Sequence, residues 1–559
     1  MTVVERRPET ASSRPDYADH YASFRPEDVA ATLTGDLATG INVCVECCDA
    51  HVASGATALV WEGVRGERVT LSFADLAEKA ARFANAITGL GVKPGDVVAG
   101  LLPRTPELLI TILGTWRAGA VYQPLFTAFG PKAIEHRLKT SGATTVVTDP
   151  ANRGKLDDLA MRPTVLTVAR PERGESVPAG DVDFAAALAA ASPDFAPVMR
   201  KGDDFFLMMS TSGTTGLPKG VPVPIRALLA FRVYMERAVD LRPEDRFWNI
   251  ADPGWAYGLY YAVTGPLMLG HATTFYEGGF TAESTYRLIR ELGITNLAGS
   301  PTAFRLLIAA GEEAAETVKG RLRVVSSAGE PLNPEVIRWF DAHLGAPIHD
   351  HYGQTELGMV VNNHHGLAHD VRTGSAGFSM PGFRVVVIDG SGVEVGANEP
   401  GELAVDVTAS PLFWFGGYLN QDTPSLGPKY YRTGDVAEVE PSGHVSFVGR
   451  NDDVITSSGY RIGPFDVESA LIEHPAVVEA AVVGKPDPER TEIVKAFVVL
   501  KAGTEATEDL AEELRLHVRR RLSAHAYPRE IQFMEQLPKT PSGKLQRFVL
   551  RAMDKPAVA

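Results

Sequence analysis

Ten consecutive residues, Thr211-Ser-Gly-Thr-Thr-Gly-Leu-Pro-Lys-Gly220, put three glycines, four hydroxyls and one lysine into one short loop. Gly213, Gly216 and Gly220 let the backbone turn tightly and aim N–H groups at an anion. Thr211, Ser212, Thr214 and Thr215 add hydroxyl donors, and Lys219 adds a full positive charge. A Walker-type P-loop would need glycine before the lysine and a hydroxyl after it, whereas Pro218 precedes Lys219 and Gly220 follows. The loop is therefore a phosphate cradle of another kind.

Four further segments carry candidate chemistry. Asp350-His-Tyr-Gly-Gln-Thr-Glu356 offers Thr355 as a donor to a phosphate oxygen and Glu356 as a ligand for Mg2+, a hard cation that prefers a carboxylate beside substrate phosphates. In Tyr431-Arg-Thr-Gly-Asp435 the carboxylate suits the two hydroxyls of a ribose. Gly449 to Gly463 packs arginines, aspartates and glycines into a charged hinge, and Pro538 to Lys544 holds a lysine on a glycine-bearing loop near the end of the chain.

The elements that must position these residues follow from apolar spacing. Phe205 to Met209 is a buried strand that delivers the cradle at its carboxyl end, where open α/β sheets bind ligands. Ser72-Phe-Ala-Asp75 starts a helix with apolar Leu76, Ala80, Phe83, Ala84 and Ile87 at helical spacing, closed by Gly91, and a strand follows over Asp96 to Leu101. Helix and strand patterns alternate to about residue 375, which predicts parallel-rich sheets covered by helices. Short strands and Gly/Pro turns over about 375–449 predict a β-rich subdomain. The last hundred residues read as a compact α+β domain. Residues 1 to about 25, polar and proline-bearing, are expected to fray or pack loosely.

At 559 residues the chain needs at least two domains, and its net charge of -15 argues against a nucleic-acid or anionic membrane surface. The three cysteines, Cys44, Cys47 and Cys48, lack a second cluster at zinc spacing and read as a reduced, buried helical segment. No export signal and no membrane-spanning stretch is apparent, so a cytoplasmic protein is expected. His364, His365 and His369 read as a solvated loop in preference to a metal site.

The five segments together, in this order and over nearly the whole chain, resemble the adenylate-forming enzymes, and within them the acyl-CoA synthetases. The resemblance implies an N-terminal adenylation domain over 1–449, a hinge at 450–452 and a mobile C-terminal domain over 453–559, with ATP, Mg2+ and CoA used at the interface between them. Carried over by position, Thr211 to Gly216 and Lys219 meet the phosphates, with Thr214 and Glu356 at Mg2+. Gly329, Glu330, Pro331, Asp350, Tyr352, Gln354 and Thr355 line the nucleotide, as do Asp435, Arg450 and Arg461. Lys544 is the catalytic lysine of adenylation, Asp452 the hinge, and Ser458, Gly459 and Arg519 meet CoA. A second metal near His474 is a further carry-over.

The acyl pocket departs from the acetyl-CoA synthetases, which the chain otherwise resembles at Asn249 to Trp255. Gly353 stands at the place of their pocket-floor tryptophan, Ala256 and Ala328 stand where valines are expected, and Tyr257 replaces a smaller threonine. A larger pocket is the expectation, for a short-to-medium-chain carboxylic acid with branched and aryl acids in range. An acetyl- or propionyl-CoA synthetase is the alternative. Readings of another kind are an amino-acid adenylation enzyme or a nucleotide-binding regulator without catalysis. The oligomeric state stays open between monomer and homodimer.

Overall fold

The computed structural model describes residues 14–211, 218–450, 453–457, 460–487, 490–522, 526–539 and 545–553. Of the expected site residues, Ser212, Gly213, Thr214, Thr215, Gly216, Asp452, Ser458, Gly459 and Lys544 lie outside that set, as does the side chain of Arg461.

Two parallel-rich sheets dominate. The seven-stranded sheet runs in the order Val182–Asp183, Thr164–Thr167, Thr145–Thr148, Val97–Leu101, Val121–Pro124, Phe205–Thr211 and Lys219–Pro224, with only the last pairing antiparallel. The six-stranded sheet runs Phe247–Asn249, Asn296–Gly299, Val324–Ala328, Ile348–Gln354, Gly358–Asn362 and Phe378–Ser379, parallel until it turns back at Gly358–Asn362. A three-stranded sheet of Thr273–Tyr276, Thr57–Glu62 and Arg68–Ser72 lies outside the sequence reading.

The β-rich expectation is met by an antiparallel sheet of Val385–Ile388, Gly401–Asp406, Tyr430–Val439 and Val445–Arg450. The last sheet combines Tyr460–Ile462, Ile455–Ser457, Thr491–Leu500 and Val477–Asp487, with Glu530–Phe533 pairing to Thr491–Leu500. Its helices Pro464–Ile472 and Glu508–Arg521 complete the α+β unit.

Local signals explain how the first sheet is held. Ser72 and Asp75 form a reciprocal capping box on helix Phe73–Gly89, whose buried face carries Leu76, Ala80, Phe83, Ala84 and Ile87. Helix Pro106–Arg117 packs on it at Gly114, where an added Cβ would come within 2.6 Å of the Phe83 ring. From the same helix the Trp116 indole N–H donates to Phe206 O at 3.0 Å, tying the helix layer to the strand that leads into the phosphate cradle.

Two expectations are corrected. The segment from residue 14 does not fray: Asp16 caps helix Tyr17–Ala22, Tyr17 Oη donates to Ser379 O and Tyr21 Oη to Phe383 O, both at 2.8 Å. Two tyrosines supply apolar area and a hydrogen-bonding tip each, enough to pin a short polar segment. His364 and His365 are 1% and 8% exposed, so they are not a solvated loop. The His365 ring stacks on His349 with centroids 3.7 Å apart, and Arg14 donates to His365 O. Burial pushes the His364 and His365 pKa values down, so both are neutral. Cys44, Cys47 and Cys48 are free and buried about helix Val43–Cys47, as expected.

Candidate active site

The site is assembled from strands of three sheets. Strand Phe205–Thr211 enters the phosphate cradle and strand Lys219–Pro224 leaves it, with Thr211 and Lys219 as register partners. Thr211 and Lys219 thus stand side by side at the carboxyl end of strand Phe205–Thr211. The His136 ring meets Pro218 O at 2.8 Å on the same side.

Strand Ile348–Gln354 carries the second group. Its neighbour Val324–Ala328 runs parallel, pairing Ser327 with Asp350, so the Ala328-Gly-Glu-Pro331 turn and the Asp350 to Glu356 segment emerge side by side. Gly329 sits at φ +97°, a left-handed conformation in which a side chain is strained. Glu330 is held by Thr302 Oγ1 at 2.8 Å and by Arg305 at 3.3 Å. Asp350 Oδ1 is buried without a hydrogen-bond partner among the described residues, and burial pushes its carboxyl well up.

Strand Tyr430–Val439 of the β-rich sheet closes the wall. Asp435, 4% exposed, accepts from Tyr352 Oη at 2.6 Å and from Gln354 Nε2 at 2.9 Å. Gln354 also donates to Thr433 O at 2.9 Å and accepts from Tyr431 Oη at 3.0 Å. Arg450 is the register partner of Asp435 on the next strand, and their charged groups lie 3.6 Å apart. The expected ribose aspartate and nucleotide arginine are therefore cross-strand neighbours.

Glu356 lies in the turn between strands Ile348–Gln354 and Gly358–Asn362. It is 6% exposed, it has no ion pair among the described residues, and its Oε1 accepts from Tyr418 Oη at 2.8 Å. Burial pushes its carboxyl up, while Tyr418, Lys219 and Arg450 oppose that shift. A buried carboxylate with one hydroxyl donor and no paired cation suits Mg2+, which takes few protein ligands beside substrate phosphates. No cluster of three or more metal-ligating side chains occurs among the described residues, and His474 contacts Glu513 at 3.2 Å. Thr355 is fixed through its carbonyl, which accepts from Tyr260 Oη at 2.9 Å.

The expected acyl-pocket residues are also brought near this wall. Trp255 packs against Phe126 and Phe129 at centroid distances of 5.5 and 5.4 Å. Ala256 opens helix Ala256–Gly258, and the Tyr257 hydroxyl is buried beside Tyr234 and Asp350. Ala328 ends its strand at 1% exposure. Gly353 corrects the pocket argument. A Cβ built there would lie 2.0 Å from Gly358 O, so a side chain would run into the returning strand of the hairpin and not into open space. Glycine is required at 353 by a close backbone approach, and its lack of a side chain does not by itself create room.

Arg519 lies in the last turn of helix Glu508–Arg521, with its guanidinium 5.7 Å from the Tyr527 ring centroid. Tyr418, Tyr431 and Tyr260 were missed as hydrogen-bonding residues of the wall. The Gly416-Gly417 pair before Tyr418 is the only sequence signal that marked it.

The AMP-binding enzyme family matches residues 49–419, and the AMP-binding enzyme C-terminal domain matches 466–544. The chain is 39% identical to the acetyl-coenzyme A synthetase of Bacillus subtilis (strain 168) over 552 residues, covering 96% of this chain and 95% of that protein. It is 35% identical to the mitochondrial acyl-coenzyme A synthetase ACSM4 of Rattus norvegicus, covering 88% and 86%. Among solved structures, the acyl-CoA synthetase of Brucella canis aligns with a TM-score of 0.80 and 66% identity over 96% of this chain and 99% of that one. The chain therefore belongs to the AMP-binding enzyme family, as an acyl-CoA synthetase of the adenylate-forming superfamily.

Proposed function

We propose that the protein joins a short-to-medium-chain carboxylic acid, with branched and aryl acids in range, to CoA at the expense of ATP, through an acyl-adenylate. The observation that carries the reaction class is the convergence of Glu356, Asp435, Arg450 and Lys219 on one wall, each fixed by a partner from another element. A carboxylate approaching an α-phosphate brings negative charge toward negative charge, so the protein must supply position and electrostatic stabilisation.

Asp435 and Arg450 would grip the ribose side, with Gly329, Glu330, Pro331, Asp350, Tyr352 and Gln354 along the nucleotide. The cradle from Thr211 to Lys219 would hold the phosphates, with Thr355 donating to the α-phosphate. Mg2+ bound by Glu356 and Thr214 would neutralise charge on the departing pyrophosphate. Lys544 would bridge acid and phosphate in the first half-reaction only. Rotation about Asp452 would then carry it away and bring Ser458, Gly459 and Arg519 to CoA, with 1–449 and 453–559 as the moving bodies. Arg461 belongs to the ATP side of that movement.

The preference for acids longer than acetate rests on Ala256 and Ala328 at wall positions where larger residues are expected. It no longer rests on empty space at Gly353. Each methylene buried in an apolar pocket contributes about 0.8 kcal/mol, a few-fold in specificity per carbon.

Two measurements test the reading. A CoA-thioester assay across acids from acetate to decanoate, plus benzoate, should peak between butyrate and octanoate or at an aryl acid, and a peak at acetate would overturn the acid assignment. Lys544→Ala should abolish adenylate formation and leave thioester formation from supplied acyl-AMP intact. Equal loss of both would overturn the division between half-reactions.

A further inference from the structure

Tyr418 lies on Gly416-Gly417-Tyr418-Leu419-Asn420, outside every segment that carried the sequence reading. Its backbone is held from two sides. The Tyr418 N–H donates to Thr423 Oγ1 at 2.8 Å, and the next amide, Leu419, donates to Gly220 O at 2.9 Å. Gly220 directly follows Lys219, so this turn is stitched to the exit of the phosphate cradle. Gly417 at φ 116° and Asn420 at φ 53° are both left-handed, which lets the chain reverse sharply on either side of the aromatic ring.

The side chain then touches two opposite charges. Its Oη donates to Glu356 Oε1 at 2.8 Å, and Lys219 Nζ stands 4.4 Å from the ring centroid. Glu356 lies in a turn of the six-stranded sheet and Lys219 on a strand of the seven-stranded one, and Tyr418 contacts both. A hydroxyl bonded to one carboxylate oxygen leaves the other oxygen for a cation and stops the carboxylate from turning. A ring face beside an ammonium restricts a side chain that otherwise samples many rotamers.

We propose that Tyr418 is a positioning residue for the metal–nucleotide complex: its hydroxyl orients Glu356 toward the Mg2+ of MgATP, and its ring holds Lys219 beside the phosphates. The proposal rests on the assignment of Glu356 to Mg2+ made above. It separates two functions within one side chain, because phenylalanine keeps the ring and loses only the hydroxyl.

ATP binding to the full chain, measured by calorimetry with Mg2+ and again in EDTA, tests it without turnover. Wild type should bind ATP more tightly with Mg2+. Tyr418→Phe should lose about 3- to 10-fold of that metal-dependent gain, the worth of one hydrogen bond, with its affinity in EDTA unchanged. Tyr418→Leu should also weaken ATP in EDTA, by about 3-fold, through loss of the ring beneath Lys219. Glu356→Gln should remove the gain outright.

If Glu356→Gln keeps the gain, the metal assignment falls and the proposal with it. If Glu356→Gln loses it while Tyr418→Phe keeps it, the metal assignment stands and the positioning role alone is overturned. Weaker ATP binding by Tyr418→Phe in EDTA would make Tyr418 a general structural residue and also overturn the proposal.

Discussion

Tyr352 donates its phenolic proton to Asp435 at 2.6 Å, joining residues 83 positions apart on two different sheets. The contact places the Asp435 carboxylate where the six-stranded sheet meets the β-rich sheet, with Arg450 on its other oxygen at 3.6 Å. The carboxylate proposed to grip ribose is thus held from both sides.

Removing that carboxylate should act on nucleotide binding first. Asp435→Ala is expected to raise the KM for ATP about 10- to 100-fold, the worth of hydrogen bonds to a charged group. Tyr352→Phe, which loses aim and keeps charge, should raise it about 3- to 10-fold. Steady-state kinetics at saturating acid and CoA checks both, and an effect on kcat alone would contradict the ribose role.

Gly353 should tolerate no side chain. With Gly358 O 2.0 Å from the built Cβ, Gly353→Ala must push the hairpin apart and is expected to cost about 1–3 kcal/mol, with adenylation reduced for every acid. Gly353→Trp should be worse. Thermal denaturation and the acid panel together decide this: an unchanged Tm with a clean shift to acetate would show that the hairpin yields and the pocket shrinks. Ala328→Val, at a strand end, is the better probe of pocket size and should favour shorter acids by about 4- to 15-fold, two methylenes at most.

In the C-terminal unit Glu468, Arg547, Asp453 and Arg551 form one ion-pair network. Glu468 Oε1 accepts from the Val482 amide at 2.8 Å and from Arg547 at 2.7 Å, while Arg547 and Arg551 both reach Asp453, at 3.5 and 2.6 Å. Removing Glu468 leaves Arg547 with Asp453 alone and the Val482 amide without its acceptor, so Glu468→Ala should destabilise this unit by about 1–3 kcal/mol. Glu468→Gln, which keeps an acceptor for the amide, should cost less. Chemical denaturation of the two variants checks the order.

Acid should destabilise the protein through its buried histidines. Burial pushes His349 down to about 4 and His351 to about 3. In unfolded chain both titrate near 6.5, so the unfolded state takes up protons that the folded state refuses. Their stabilising contribution is complete above about pH 6.5 and is lost as pH falls from there toward the folded values. Tm should therefore drop between pH 6.5 and 4, and His349→Gln should flatten that slope. An equal slope in the variant would contradict this assignment.

Much of the fold was legible because its signals are local. The Ser72 and Asp75 capping box, the apolar face from Leu76 to Ile87 and the strand before the cradle all follow from spacing within one turn or one strand. The histidines at 364 and 365 were read as solvated because polarity alone marks them, and nothing nearby announces that His349 and Val325 O wait across a sheet. Tyr17 and Tyr21 misled for the same reason, since their partners Ser379 and Phe383 lie more than 360 residues away.

The amino-acid sequence by itself determined the family, because five short segments in one order resemble the adenylate-forming enzymes and each is written within a few consecutive residues. Only the tertiary structure decided that Tyr418 stands between Glu356 and Lys219, that Asp435 answers to Tyr352 as well as Arg450, and that Gly353 faces a strand and not a cavity. Those facts depend on strand register and on the direction of a Cβ, which arise when distant segments pack and which no single segment encodes.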